Sequence, residues 1–372
     1  MSTLESGLTL RRVTLRITEG IDSTLLVLTL TLSLLGLAAL FSASYENPAR
    51  VAAQVGNLAV ALAAMWLVAQ VSPQTLMRFA VPAYVIGLAF LLAVALFGDV
   101  VNGARRWLHV GVTRFQPSEM MKLAMPMMLA WYFHRRETAL RLRDFALAAL
   151  LLMVPLALIA RQPDLGTAAL VGATGFYVIF FAGINWKVLA TLGIGGLAGM
   201  PLLWSVMKDY QRKRVLTLLD PTTDPLGAGY HIIQSTIAVG SGGLAGKGWL
   251  NGTQAHLEFI PERHTDFIFA VSSEEFGFIG NFTLLVLYAL LIGRGLMIAA
   301  NAPTVFSRLF AGSIALMFFT YAFVNMGMVS GILPVVGVPL PFLSYGGTAL
   351  LTLFIGTGVL MSVNRHRKLV QT

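Results

Sequence analysis

Ten stretches of the chain are apolar for long enough to cross a bilayer as helices, and this constrains its fold more than any other feature. They fall near residues 23–43, 52–71, 77–97, 117–134, 145–160, 165–183, 187–207, 267–293, 306–330 and 345–363, and about 20 residues of helix span the ~30 Å hydrocarbon layer. Only 12% of the residues are charged while 56% are hydrophobic, against roughly a quarter charged in a soluble domain. The expected fold is an all-α integral membrane protein of ten transmembrane helices, forming one polytopic domain over residues 1–372.

Charge sets the sides. With 26 Lys and Arg against 17 Asp and Glu the net charge is +9. The cations concentrate in loops on the side of the N-terminal tail, residues 1–22, as in HRRETALRLRD and in NRHRK at the start of the closing tail, 364–372. The positive-inside rule therefore puts both termini in the cytosol. The short outer loops hold Arg50, Arg105, Arg106, Arg114 and Arg161. Arg11, Arg12 and Arg16 precede no apolar core with a small-residue cleavage site, so the first span is read as the targeting element itself. The net charge suits acidic lipids or phosphate groups better than nucleic acid, which is not expected as a partner. With no cysteine, disulfides and thiolate metal sites are ruled out.

Residues 208–265 form one long outer loop between the seventh and eighth spans. A connection of that length is expected to carry structure and function. Within it YHIIQSTIAV has helical periodicity between GAG and GSGGLAGKG, which predicts a short interfacial or re-entrant helix. GILPVVGVPLPFLSYGG, before the last span, breaks any helix with its prolines and glycines, so it is expected to line a cavity as irregular backbone.

Ionisable groups inside spans are expensive, about 2.5–3.5 kcal/mol each, and so need a reason. In FQPSEMMK, Glu119 and Lys122 share a helix face three residues apart. They suit either a packing ion pair or a polar pathway. Asp164 in RQPDLGT and Asp266 in PERHTDFIFAV each precede an apolar run; the plainer role for both is helix capping. Glu274 and Glu275 cannot both face lipid, and no carboxylate follows them in the last 97 residues. The outer cations Arg105, Arg106, Arg114, Lys247, Arg263 and the KDYQRKR cluster suggest an anionic ligand, and guanidinium suits phosphate. KDYQRKR also fits a stripe on acidic headgroups. Trp107 and Trp249 suit interface anchors better than sugar platforms. LLDPTTDPLG reads as turns, and the spacing of His256, Glu258, Glu262 and His264 matches no zinc motif.

The stretches GARRWL, RFQPSEMMK, RQPDLGT, DPLGAGYHIIQS, GSGGLAGKGW, PERHTDFIFAV and GILPVVGVPLPFLSYGG follow one another between residues 103 and 347. In that order the chain resembles the SEDS family (shape, elongation, division and sporulation) of the bacterial cell wall. Arg263 and the VVGVPLP run resemble the elongation branch of the family more than the division branch.

That resemblance implies a peptidoglycan glycosyltransferase of the cytoplasmic (inner) membrane, active in cell elongation and rod-shape maintenance. It would polymerise lipid II at the periplasmic face, with undecaprenyl pyrophosphate as leaving group and inversion at the anomeric carbon. It also implies a class B penicillin-binding protein as transpeptidase partner, its membrane helix docking on the eighth and ninth spans, with other elongation-complex proteins and membrane lipids around the pair. By motif, Asp266 is the family's candidate catalytic carboxylate, and Arg106, Trp107, Glu119, Lys122 and Asp164 are matched positions. Arg106, Trp107, Arg114, Gln116, Glu119, Lys122, Asp164 and Arg263 are then expected to bind substrate, some of the cations facing the leaving diphosphate. No resident cofactor is assigned; a divalent cation, Mg or Mn, is an open option beside the diphosphate. Two other readings stay open: a lipid II flippase using the Glu119–Lys122 pair, and a scaffold that only positions the transpeptidase.

Overall fold

The computed structural model describes residues 20–44, 47–101, 104–110, 113–137, 140–224, 227–257, 259–260 and 262–367. Most of the two tails, Glu258, and the side chains of Arg114 and His256 lie outside the described residues.

The chain is mostly helical. In order come α1 (Ser23–Ala43), α2 (Pro48–Gln70), α3 (Pro73–Arg78), α4 (Ala80–Phe97), α5 (Pro117–His134), α6 (Leu142–Arg161), α7 (Leu165–Phe181), α8 (Trp186–Ala198), α9 (Met200–Val206), α10 (Asp209–Leu219), α11 (Ala228–Ser241), α12 (Thr253–His256), α13 (Ile268–Ala300), α14 (Val305–Val329) and α15 (Gly347–His366). Among the described residues seven helices are long and apolar enough to cross a membrane, eight if α8 and α9, bent by 46°, count as one span. Helix α7 is apolar but has 17 residues, and α5 carries Glu119, Lys122 and His134 among its 18.

Two expectations need correction. The all-α reading missed a small antiparallel sheet in the outer loop before α5. Strand β2 (Ala104–Val110) pairs with both β1 (Asp99–Val101) and β3 (Thr113–Phe115). Strands β1 and β3 have three residues each, the seven-residue ARRWLHV of β2 does not alternate polar with apolar, and only the Asn102-Gly103 and Gly111 turn signals mark the sheet. The eighth span is also not one continuous helix: α13, Ile268–Ala300, is interrupted at Gly277, and the part after the break, residues 278–300, is about 35 Å long at 1.5 Å per residue, enough by itself to cross the hydrocarbon layer.

Helix α14 is the hub, packing on α5, α7, α13 and α15. Phe306, Phe310, Phe318 and Tyr321 are almost fully buried along it. On α8, by contrast, no residue is buried. The N-cap of α1 is a latch: Asp22 accepts from Leu25 N at 2.9 Å, from Arg294 of α13 at 2.5 Å and from Asn364 of α15 at 2.9 Å, joining three helices.

The long loop carries structure. Its predicted helix is α11, whose Ser235 hydroxyl donates to Val329 O on α14 at 2.9 Å. The glycine stretch after it wedges into a break in α13, where Gly277 sits at φ 61° and ψ −157°. This is backbone space essentially reserved for glycine. A helix break in a bilayer leaves donors and acceptors that must be satisfied, and the loop supplies both. Lys247 N and Gly248 N donate to Glu274 O and Glu275 O, each at 3.0 Å; Phe278 N and Ile279 N donate to Gly243 O at 2.9 Å and Leu244 O at 3.1 Å. The paired carboxylates turn inward at the same break. Glu274 takes Lys247 Nζ at 2.6 Å and Gln254 N at 3.1 Å, and Glu275 takes the Ser42 hydroxyl of α1.

Candidate active site

Two polar clusters lie against α14. The first gathers on α5 and α7. Pro117 at the first turn starts α5, with Gln116 as N-cap residue, and three residues of spacing place Glu119 and Lys122 on one face. Lys122, 1% exposed, donates to Glu119 Oε1 at 2.6 Å and to the Tyr321 hydroxyl of α14 at 2.6 Å. Among the described residues Glu119 Oε2 has no partner. Gln116 Nε2 donates to Asp164 Oδ2 at 3.0 Å, while Asp164 Oδ1 caps α7 through Thr167 N at 3.2 Å. Capping is thus one of two roles for that carboxylate. On β2, Arg106 donates to Pro163 O at 2.8 Å, and its buried Nε has no partner among the described residues. Arg106 and Trp107 are each partly exposed.

The second cluster surrounds Asp266 in the turn before α13. Capping does not describe it: the N-cap residue is Phe267, and no side chain makes the cap bond. The carboxyl group is half-buried, and its pKa is pushed up to about 6, first by burial and then by the neighbouring Glu262. Facing it is Gly337 at φ 71°, where an added Cβ would lie 3.3 Å from Asp266 Oδ2. Beneath it Asn325 of α14 donates to Asp266 O at 2.8 Å and to Val338 O at 2.7 Å. His231 of α11 stacks on Phe267, ring centroids 5.5 Å apart, and burial lowers its pKa.

The clusters are joined. Tyr321 and Asn325 are four residues, one turn, apart on α14, so the helix face that meets Lys122 also holds the Asp266 turn. A second link runs through the irregular 332–346 loop. Val336 O crowds Gly166, two residues from Asp164, and Gly337 adjoins Asp266. Arg263 behaves differently, its Nε donating to Ala43 O at the end of α1 at 2.8 Å, so at least part of its guanidinium ties two elements together. Tyr321, Asn325 and Ser344 were not singled out from sequence. An Asn deep in an apolar run was the available signal, because a buried amide must be paired.

Among the described residues no three His, Asp or Glu side chains gather as a metal-ligand set. Glu262 and Asp266 are neighbouring carboxylates, and one or two carboxylates are the usual protein share of a Mg site completed by water and substrate phosphates.

The family model described as "Cell cycle protein" (FtsW, RodA, SpoVE) matches residues 22–369. The chain belongs to this family. It is similar to the peptidoglycan glycosyltransferase MrdB of Escherichia coli strain K12, at 50% identity over 94% of this chain and 95% of that protein. It is 32% identical to the peptidoglycan glycosyltransferase RodA of Treponema pallidum, over 93% of this chain and 98% of its relative. Among solved structures, a chain described under "Structural coordination of polymerization and crosslinking by a peptidoglycan synthase complex" superposes with a TM-score of 0.80 at 38% identity. That match covers 93% of this chain and 98% of that one. The rod shape determining protein RodA of Thermus thermophilus gives 0.71 at 33%, over 93% of this chain and 97% of that one.

Proposed function

We propose that this chain is a peptidoglycan glycosyltransferase of the bacterial inner membrane that polymerises lipid II into glycan strands. Its relatives of up to half-identical sequence carry that name. The observation that carries the reading in this chain is the single turn of α14 joining the Asp266 turn to the Lys122–Glu119 cluster. It holds a carboxylate of raised pKa and a set of cationic and amide groups at one end of the bundle.

Ten membrane crossings follow if α5, α7 and the bent α8–α9 pair are counted with the seven longer helices. With ten crossings both termini are on one side, the cytosol by the positive-inside rule, and residues 208–265 then face the periplasm, within one domain. The incoming sugar's 4-hydroxyl attacks the anomeric carbon of the growing chain. The bond to undecaprenyl diphosphate breaks with inversion, and the hydroxyl proton passes to Asp266. A base of pKa about 6 is mostly ionised at neutral pH and close enough to it for efficient transfer. Arg106, a partly exposed guanidinium that spends one N–H on Pro163 O, is the cation assigned to the diphosphate charge. Arg114 and Trp107 extend the same outer sheet. Lys122 is already shared between Glu119 and Tyr321, so it sets the electrostatics of the wall rather than reaching out. Gln116 and Asp164 fix the turn that holds Arg106.

A class B penicillin-binding protein fits as partner. Between α13 and α14 lies an apolar groove of about 370 Å³ lined by Leu285, Tyr288, Ala289, Phe319, Phe323 and Met326, open for a membrane helix. The test is lipid II polymerisation by the purified complex with the partner's transpeptidase serine removed. Asp266→Asn should abolish strand formation while leaving the complex folded; near-normal strands would refute the base assignment.

A further inference from the structure

Three consecutive main-chain carbonyls immediately before α13 are each held by a donor from α14 or the loop that follows it. Tyr345 N donates to His264 O at 2.9 Å, the Ser344 hydroxyl to Thr265 O at 2.7 Å, and Asn325 Nδ2 to Asp266 O at 2.8 Å. We infer that Asn325 and Ser344 are positioning residues: they clamp the peptide on which Asp266 is carried and so set where its carboxylate points.

Asn325 is suited to this task and to little else. It is fully buried, and its two N–H groups reach Asp266 O and Val338 O, at 2.8 and 2.7 Å. Its Oδ1 has no partner among the described residues. The amide is not interchangeable end for end, because the flipped rotamer would set its oxygen against two carbonyl oxygens. An unpaired polar atom in a span is expensive, so the site tolerates one in order to join two segments. One of these bears Asp266. The other bears Gly337, whose missing side chain leaves room for Asp266 Oδ2.

Ser344 closes the clamp from the loop side. Its hydroxyl donates to Thr265 O and accepts from Leu340 N at 2.7 Å, tying the loop to itself and to the acid turn at once. The loop is in turn pinned by Gln54 of α2, which donates to Ser344 O and accepts from Gly346 N, each at 3.3 Å. The carboxylate's direction is therefore set by α2, α14 and the 332–346 loop together rather than by its own helix.

The inference rests on Asp266 acting as the base, and the experiment separates the two. In the complex with its partner, Asn325→Leu keeps the volume and removes both donors. It should lower kcat for lipid II polymerisation about a hundredfold, the scale of a 1 Å misplacement, with KM within about twofold. Ser344→Ala, which removes a single hydroxyl, should lower kcat about tenfold. A merely structural role would instead lower the melting temperature without this split between kcat and KM. If Asp266→Asn is inactive while folded Asn325→Leu retains kcat, the clamp is wrong and the base assignment stands. If Asn325→Leu does not fold, Ser344→Ala decides, and a normal kcat there overturns the inference. Normal activity of Asp266→Asn overturns the base assignment itself.

Discussion

Tyr321 and Asn325 stand one turn apart on α14, the hydroxyl of the first accepting from Lys122 Nζ at 2.6 Å and the amide of the second donating to Asp266 O at 2.8 Å. Two segments separated by well over a hundred residues of sequence are thereby referred to one rigid element, which is itself packed on five other helices. A shift of that turn would move the acid and the buried ion pair together, and this makes α14 the natural reference frame for the chemistry.

The acid's ionisation predicts a pH profile. With its raised pKa of about 6, Asp266, the proposed base, is protonated below that pH and ionised above it. The polymerisation rate should therefore fall about tenfold per pH unit below 6 and level off above it. Glu262→Gln removes the negative neighbour that helps raise the value, so the midpoint should move to lower pH. Initial rates between pH 4.5 and 8 measure both.

The buried ion pair predicts a stability pattern. Lys122→Met strands the Glu119 carboxylate, and breaking a buried pair from one side typically costs 3–5 kcal/mol. Melting in nanodiscs should drop sharply for Lys122→Met, and adding Glu119→Gln should restore most of it. Equal losses in the single and double variants would mean that the pair is not energetically coupled.

Gly277 predicts a local effect. At φ 61° any side chain is strained, and a Cβ would also meet the backbone of Gly246 and Ala245. Gly277→Ala should release the 242–248 loop from the break in α13, at a cost of about 1–3 kcal/mol. Faster hydrogen exchange at Lys247 and Gly248, with little change on α2, would report it.

The apolar groove predicts a binding phenotype. Ala289→Trp fills the groove from an exposed position, so folding should be unaffected. Recovery of the partner on co-purification should fall about tenfold, equivalent to 1.4 kcal/mol. Unchanged recovery would place the partner's helix elsewhere.

Reading the residues in order located the helices well. Asp22 and Asp164 cap α1 and α7 where the apolar runs begin, and Pro117 opens α5 where the sequence put it. The Glu119–Lys122 pair was legible too, because both partners lie within one helical turn. The β-sheet before α5 was not, since pairing between short strands is non-local.

The chain alone determined that it must live in a bilayer, roughly where it crosses, and which ionisable groups required a reason. Hydrophobic length and local spacing are properties of neighbouring residues, and they survive without knowledge of the fold. Only the tertiary structure decided that Asp266 leaves its helix uncapped and faces Gly337, that Arg263 reaches back to Ala43, and that Tyr321 and Asn325 connect two motifs. Those facts depend on which helix packs beside which, and hydrophobic packing in a membrane says little about neighbours until small residues, buried amides and loop backbone choose them.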